Sequence, residues 1–121
     1  PSRSEILFGM TGANDPNFNL RNEPVFISRS SGKDMVFASV LEPHGYYSLA
    51  EESSVSVHPT IQELRVVGHS DEASIVEVVG DRDLHWTIMI NNAAADAEAE
   101  HTVEFSGETY SWKGNFKVIQ K

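Results

Sequence analysis

The sequence predicts an all-β fold, an antiparallel β-sandwich of two packed sheets with no substantial helix. Three observations carry that expectation. Short runs rich in Val, Ile, Phe, Tyr and Trp recur through all 121 residues. Clusters of Gly, Pro, Asn, Asp and Ser separate them at the spacing of sandwich turns. The one stretch with helix-forming composition, Ala93 to Glu100, is short and has no apolar stripe beyond alanine, so it reads as a solvated loop.

The elements follow in order. Ile6, Phe8 and Met10 alternate with other residues, as one half-buried strand requires. Pro24 opens Val25-Phe26-Ile27, and proline is tolerated at a strand's first residue, where no ladder donor is needed. Ser30-Ser31-Gly32-Lys33-Asp34 reads as a hairpin turn into the run Met35 to Leu41, which predicts that these two runs pair antiparallel. Further strands are expected at Ser53 to Val57, Ile61 to Val67, Ala73 to Val79 and Leu84 to Ile90. Shorter ones close the chain at His101 to Phe105, Thr109 to Trp112 and Phe116 to Ile119. Trp86 alternates with Leu84, Ile88 and Ile90, which predicts an indole in the core.

The length suits one domain over 1–121, with a core of real size. Because the first residue is Pro1 and not Met, the chain reads as a fragment or module of a longer or processed polypeptide, with any targeting signal upstream. No apolar run approaches the roughly 18 residues of a membrane helix, and no membrane partner is expected. The absence of cysteine excludes disulfides, thiolate metal sites and a cysteine nucleophile. It fits a secreted or periplasmic bacterial protein, the compartment expected here, and many cytosolic proteins as well.

The net charge of −9 is unevenly spread: residues 70–108 hold ten acids against Arg82, whereas residues 1–41 balance four acids with four bases. From Thr109 onward there are no acids, and Lys113, Lys117 and Lys121 appear. A nucleic-acid binder needs a basic face, so nucleic acid is excluded as a partner. An acidic polysaccharide would have to approach the neutral N-terminal part or the lysine-bearing tail.

Candidate binding residues lie in loops between strands, where rigid scaffolds present chemistry. Asn14-Asp15-Pro16-Asn17 has turn composition. Beyond it Asn17, Asn19 and Arg21 share one face of an extended segment while Phe18 and Leu20 anchor the other. Two amides and a guanidinium on one face suit sugar hydroxyls and a carboxylate, the latter held bidentately. His44, between Pro43 and Gly45, precedes Tyr46 and Tyr47. An exposed loop histidine is the plain reading, and a uronate contact with a Tyr platform is the functional one. Tyr110 and Trp112 share a face near a hairpin end, and read either as core or as a stacking platform.

His58, His69, His85 and His101 show no HxH or HExxH spacing, so no zinc site is expected. The chain's oxygen donors make calcium the better metal candidate, but no EF-hand spacing appears, and no cofactor is expected. There is no GxSxG elbow, GxGxxG or P-loop. Acids are too abundant for sequence to place or exclude a glycosidase carboxylate pair.

The stretches Gly12 to Arg21, Leu41-Glu42-Pro43-His44-Gly45 and Tyr110-Ser111-Trp112-Lys113-Gly114 carry a resemblance. Together with the strand pattern from Phe8 to Phe116, they resemble the C-terminal β-domain of oligo-alginate lyases, in the heparinase II/III-like superfamily. The resemblance implies a parent polysaccharide lyase that works by β-elimination. Its Tyr and His residues would come mainly from a helical toroid and a central β region, with a metal in the central part; no motif here matches those ligands. It implies a non-catalytic module that binds acidic oligosaccharide such as alginate, packs against the catalytic domain, or both. Arg21, Asn19, His44 and Tyr46 would carry any sugar contact. The alternatives are a protein-interaction or scaffold sandwich without glycan affinity, and a small stand-alone lyase or hydrolase.

Overall fold

A computed structural model describes residues 5–12, 22–93 and 95–121. Asn17, Asn19 and Arg21 lie outside the described residues. The chain divides into two compact units, Pro1–Val36 and Phe37–Lys121. Within the described residues both are built from antiparallel strands, without helix.

In the first unit β1 (Glu5–Gly12) pairs along its whole length with β2 (Asn22–Arg29), from Glu5 opposite Arg29 to Gly12 opposite Asn22. Phe8 and Phe26 face each other with ring centroids 5.0 Å apart at 54°, a favourable tilted arrangement. Glu5 and Arg29 close the far end at 2.5 Å. This corrects the expected hairpin of Val25 to Ile27 with Met35 to Leu41. β2 finds eight in-register partners in β1, while residues 35–45 enter no strand. The run from Met35 to Leu41 is apolar at both parities except Ser39, so it lacks the two-residue period that specifies a half-buried strand. Asp34, with φ of 56°, turns the chain there.

In the second unit β3 (Tyr46–Ser48) and β4 (Ser53–Val55) form a short hairpin. The main sheet has β5 (Ile61–His69) and β6 (Ala73–Gly80), then β7 (His85–Asn91) and β10 (Phe116–Gln120), in the spatial order β10-β7-β6-β5. A two-stranded ribbon, β8 (Glu100–Phe105) with β9 (Glu108–Lys113), packs on one face. Ser106 (φ 54°) and Gly107 (φ 83°) form its two-residue turn. Two left-handed residues in succession match the twist of a tight hairpin.

The core lies between sheet and ribbon. Ala73, Ile75 and Met89 of the sheet meet Tyr110 and Trp112 of the ribbon, with Val67, Val103 and Phe105 packed around them. At Gly68 a Cβ would fall 2.2 Å from the Phe105 ring, so only glycine lets the ribbon approach β5 there. The result is a β-sandwich with a short second layer, the fold class the sequence predicts. Ala93 to Glu100 holds no helix among its described residues, and Glu100 already begins β8.

Candidate functional site

Cross-strand register decides which side chains meet, because directly paired residues project to the same side of a sheet. Ile75 pairs with Met89, and Glu77 with both Arg65 and Thr87. These residues occupy the face that the ribbon covers. At one end of that face, Arg65, Glu77, His85 and Lys121 line a cavity of about 490 Å³ together with Glu108 and Tyr110 of β9.

Glu77 is the centre of this cluster. Its side chain is only 4% exposed, and Arg65 Nη2 and Lys121 Nζ both donate to it, the latter at 3.3 Å. His85 Nε2 lies 3.5 Å from the same carboxylate. Burial alone would raise the Glu77 carboxyl; the hydrogen bonds and charges of Arg65 and Lys121 outweigh it and hold the group below its ordinary value. Arg65 is shifted upward by the same pairing. Burial, followed by the hydrogen bond to Glu108, pushes the Tyr110 phenol up to about 12.

Those shifts define what the cavity can do. An eliminative base must give up its proton near working pH, and Tyr110 is moved away from that range while its hydroxyl donates to Glu108 at 2.9 Å. The two cations that would recognise a uronate already neutralise Glu77, and Glu108 adds a further carboxylate. This is an internally balanced ion cluster that fixes the open end of the sheet. Nothing in the sequence motifs singled it out; the signal was Glu77, a lone charge inside the otherwise uncharged run Ala73 to Gly80.

A second polar cluster stands at the other end of β6. Ser74 Oγ lies 2.9 Å from His69 Nδ1 and 2.8 Å from Asn92 Nδ2. The residue types suit a nucleophile and a base. However, Ser74 is 5% exposed, and Asn92 also donates to the Ser70 carbonyl at 2.8 Å. The group ties a turn together. Among the described residues, no three His, Asp or Glu side chains gather in a metal-binding arrangement.

The remaining predicted site residues divide sharply. His44 is exposed in the loop before β3, and Tyr46 and Tyr47 are exposed on it, at 65% and 60%. Glu42 anchors that loop by accepting from Thr60 Oγ1, from the Thr60 amide at 2.8 Å and from the Ile61 amide at 3.1 Å. These bonds, led by the Thr60 hydroxyl, hold the Glu42 carboxyl below its ordinary value. Tyr110 and Trp112, by contrast, are 7% and 4% exposed in the core. Trp112 stacks on His101 with centroids 5.0 Å apart. A sugar platform needs an open ring face, so the structure replaces that role with core packing.

The opposite face of the main sheet is the other prominent surface. Leu64 and Val66 of β5 pair with Val78 and Val76 of β6; across β7, Trp86, Ile88 and Ile90 continue the same face to Val118 and Phe116 of β10. Val76 and Val78 are buried at its centre, yet Val66, Trp86, Ile90, Phe116 and Val118 remain exposed. This corrects the expectation for Trp86. Its partners Ile88 and Ile90 do share its parity, but the ribbon covers the other parity, that of Thr87 and Met89. In β7 the parity of Trp86, Ile88 and Ile90 is the more apolar one, yet the covered parity holds His85, Thr87, Met89 and Asn91, so apolar alternation alone does not reveal which face a second layer will cover.

No family model matches this chain. It is 34% identical over 121 residues to an exo-oligoalginate lyase of Saccharophagus degradans, a match that spans 98% of this chain and 16% of that protein. It is 35% identical over 120 residues to an alginate lyase of Stenotrophomonas maltophilia, again across 98% of this chain and 16% of the relative. The chain therefore spans about a sixth of the length of these curated relatives. The matches agree with the resemblance to a C-terminal module of oligo-alginate lyases that the loop motifs carry.

Proposed function

We propose that this chain is a non-catalytic β-module of an alginate lyase, a polypeptide acting on polyuronates outside the cytoplasm. Its role there is to pack against the remainder of that polypeptide. The observation that carries this reading is the apolar sheet face from Leu64 and Val66 to Phe116 and Val118, part of which is exposed. An apolar surface of this extent on a soluble domain marks a place where another surface belongs. The near-complete match of this chain to a sixth of two lyases supplies the source of that surface. The balanced ion cluster around Glu77 is consistent with a structural module in which no reaction centre operates.

The test is a pair of substitutions on that face, Trp86→Ser and Phe116→Ser, made in the chain alone and in the whole polypeptide. The expected result is a small change in unfolding midpoint alone and a clearly larger loss in the whole polypeptide. Equal effects in both settings would overturn the packing role.

A contact with acidic oligosaccharide is the second reading, favoured by exposed His44, Tyr46 and Tyr47 in a loop fixed by Glu42. Titration with alginate oligomers is expected to shift the amide resonances of His44 and Tyr46, less so at high salt. A flat titration at millimolar ligand would leave packing alone.

A further inference from the structure

The two edges of the main sheet differ in how they are finished. β5 is irregular, with register shifts between Ile61 and Glu63 and between Val66 and Gly68. Bulges twist an edge and spoil it as a template for further pairing. Its first amide is also occupied, since Ile61 donates to Glu42. β10 has none of these devices: its five residues pair with β7 in unbroken register from Phe116 to Gln120.

The hydrogen-bond pattern shows what that edge offers. Asn91 N donates to Asn115 O at 2.8 Å, and Lys121 N donates to His85 O at 2.9 Å. In an antiparallel ladder, hydrogen-bonded pairs alternate with non-bonded ones. Residues 115, 117, 119 and 121 therefore direct their backbone groups toward β7, and Phe116, Val118 and Gln120 direct theirs away from the sheet. Among the described residues, no strand pairs with that side of β10. Phe116 and Val118, which present these free groups, are also 67% and 51% exposed.

We propose that β10 is an open sheet edge that a strand from the same lyase polypeptide, outside these 121 residues, pairs with in the whole protein. That strand would lay apolar side chains beside Phe116 and Val118 and so continue the apolar face. This rests on the packing role proposed above and deepens it by naming the edge. An open edge that presents apolar side chains such as Phe116 and Val118 is a template for further pairing, and about five-sixths of each relative lies outside the aligned segment. A second copy of this chain is disfavoured as the occupant by a net charge of −9 on each.

Amide hydrogen exchange, compared between the chain alone and the whole polypeptide, tests the edge. Alone, Lys117 and Ile119 are expected to be protected, and Phe116, Val118 and Gln120 to exchange quickly. In the whole polypeptide those three amides should slow by about tenfold or more. Val118→Pro removes one outward donor without touching the ladder to β7. It is expected to leave the chain alone folded and to abolish the added protection of Phe116 and Gln120. Unchanged fast exchange in the whole polypeptide would overturn the edge proposal. If Trp86→Ser and Phe116→Ser still destabilise only the whole polypeptide in that case, the packing role survives. Protection that grows with the concentration of the chain alone would assign the edge to a second copy and equally overturn it.

Discussion

On the ribbon-covered face of the four-stranded sheet, Ala73, Ile75 and Met89 are at most 1% exposed, while on the opposite face Trp86, Ile90, Phe116 and Val118 keep 38%, 38%, 67% and 51% around the buried Val76 and Val78. The more exposed side is the more uniformly apolar of the two, since the covered side also carries Arg65, Glu77 and Thr87. What separates them is the two-stranded ribbon, which lays Tyr110 and Trp112 over one side. Hydrophobic burial follows from what a neighbouring layer reaches, and residue type only sets how much is gained when it does. An apolar face that the ribbon does not reach, exposed at Val66, Trp86, Ile90, Phe116 and Val118, is the feature on which the proposed packing role rests.

The largest expected effect comes from breaking the covered side. Ile75→Ala should cost about 2–5 kcal/mol, because it leaves a cavity beneath the ribbon that the surrounding strands cannot fill. Val118→Ala on the open side should stay within about 0.5 kcal/mol in the chain alone. Denaturant midpoints of the two variants check the comparison directly. Near-equal losses would mean that the open face is already packed.

Next in size is the polar end of the covered face. Glu77→Gln should cost about 1–3 kcal/mol at neutral pH, since a nearly buried carboxylate loses its charge-assisted donors. Its effect on pH dependence is more specific. The Glu77 carboxyl sits below its ordinary value when folded, so its contribution is complete above the unfolded value of about 4.3. That contribution disappears as pH falls through the lower folded value. Unfolding midpoints measured from pH 7 downward should therefore fall more steeply for the unsubstituted chain than for Glu77→Gln. Parallel curves would show that Arg65 and Lys121 do not stabilise the folded carboxylate.

Much of this architecture was legible in the sequence, and the exceptions have physical causes. From Ile61 onward each expected strand is present within a residue or two, because short apolar runs there are bounded by strong turns such as Ser106-Gly107 and Gly80-Asp81. Pairing over residues 22–45 was misread because a turn-like cluster at Ser30 to Asp34 suggests a hairpin whatever strand precedes it. The partner of β2 lies on its other side in sequence. Tyr110 and Trp112 show a different limit: alternation tells that two rings share a face, not whether the face is roofed. The ion cluster needed register, since Arg65, Glu77 and Lys121 are brought together only by the order β10-β7-β6-β5. His44 is an exposed loop residue, its plain reading from the sequence, because Pro43 and Gly45 interrupt regular structure there; the three-residue strand that starts at Tyr46 is too short to show in the apolar pattern.

The smallest expected effect distinguishes the two sheet edges. Glu42 closes the start of β5 by accepting from Thr60 and Ile61, and those donors lower its pKa. The clasp is therefore complete above the ordinary carboxylate value and released as pH falls through the lowered one. Glu42→Ala should leave the unfolding midpoint nearly unchanged, because exposed charge-assisted bonds add little to global stability. Locally it should matter: the Thr60 and Ile61 amides should exchange faster, and the His44 to Tyr46 loop should lose the anchor that sets its position. If β5 then began to associate between copies, the carboxylate would be acting as an edge guard, a device that β10 lacks. If only the local amides change, the bulges at Ile61 and Val66 are sufficient to keep that edge closed.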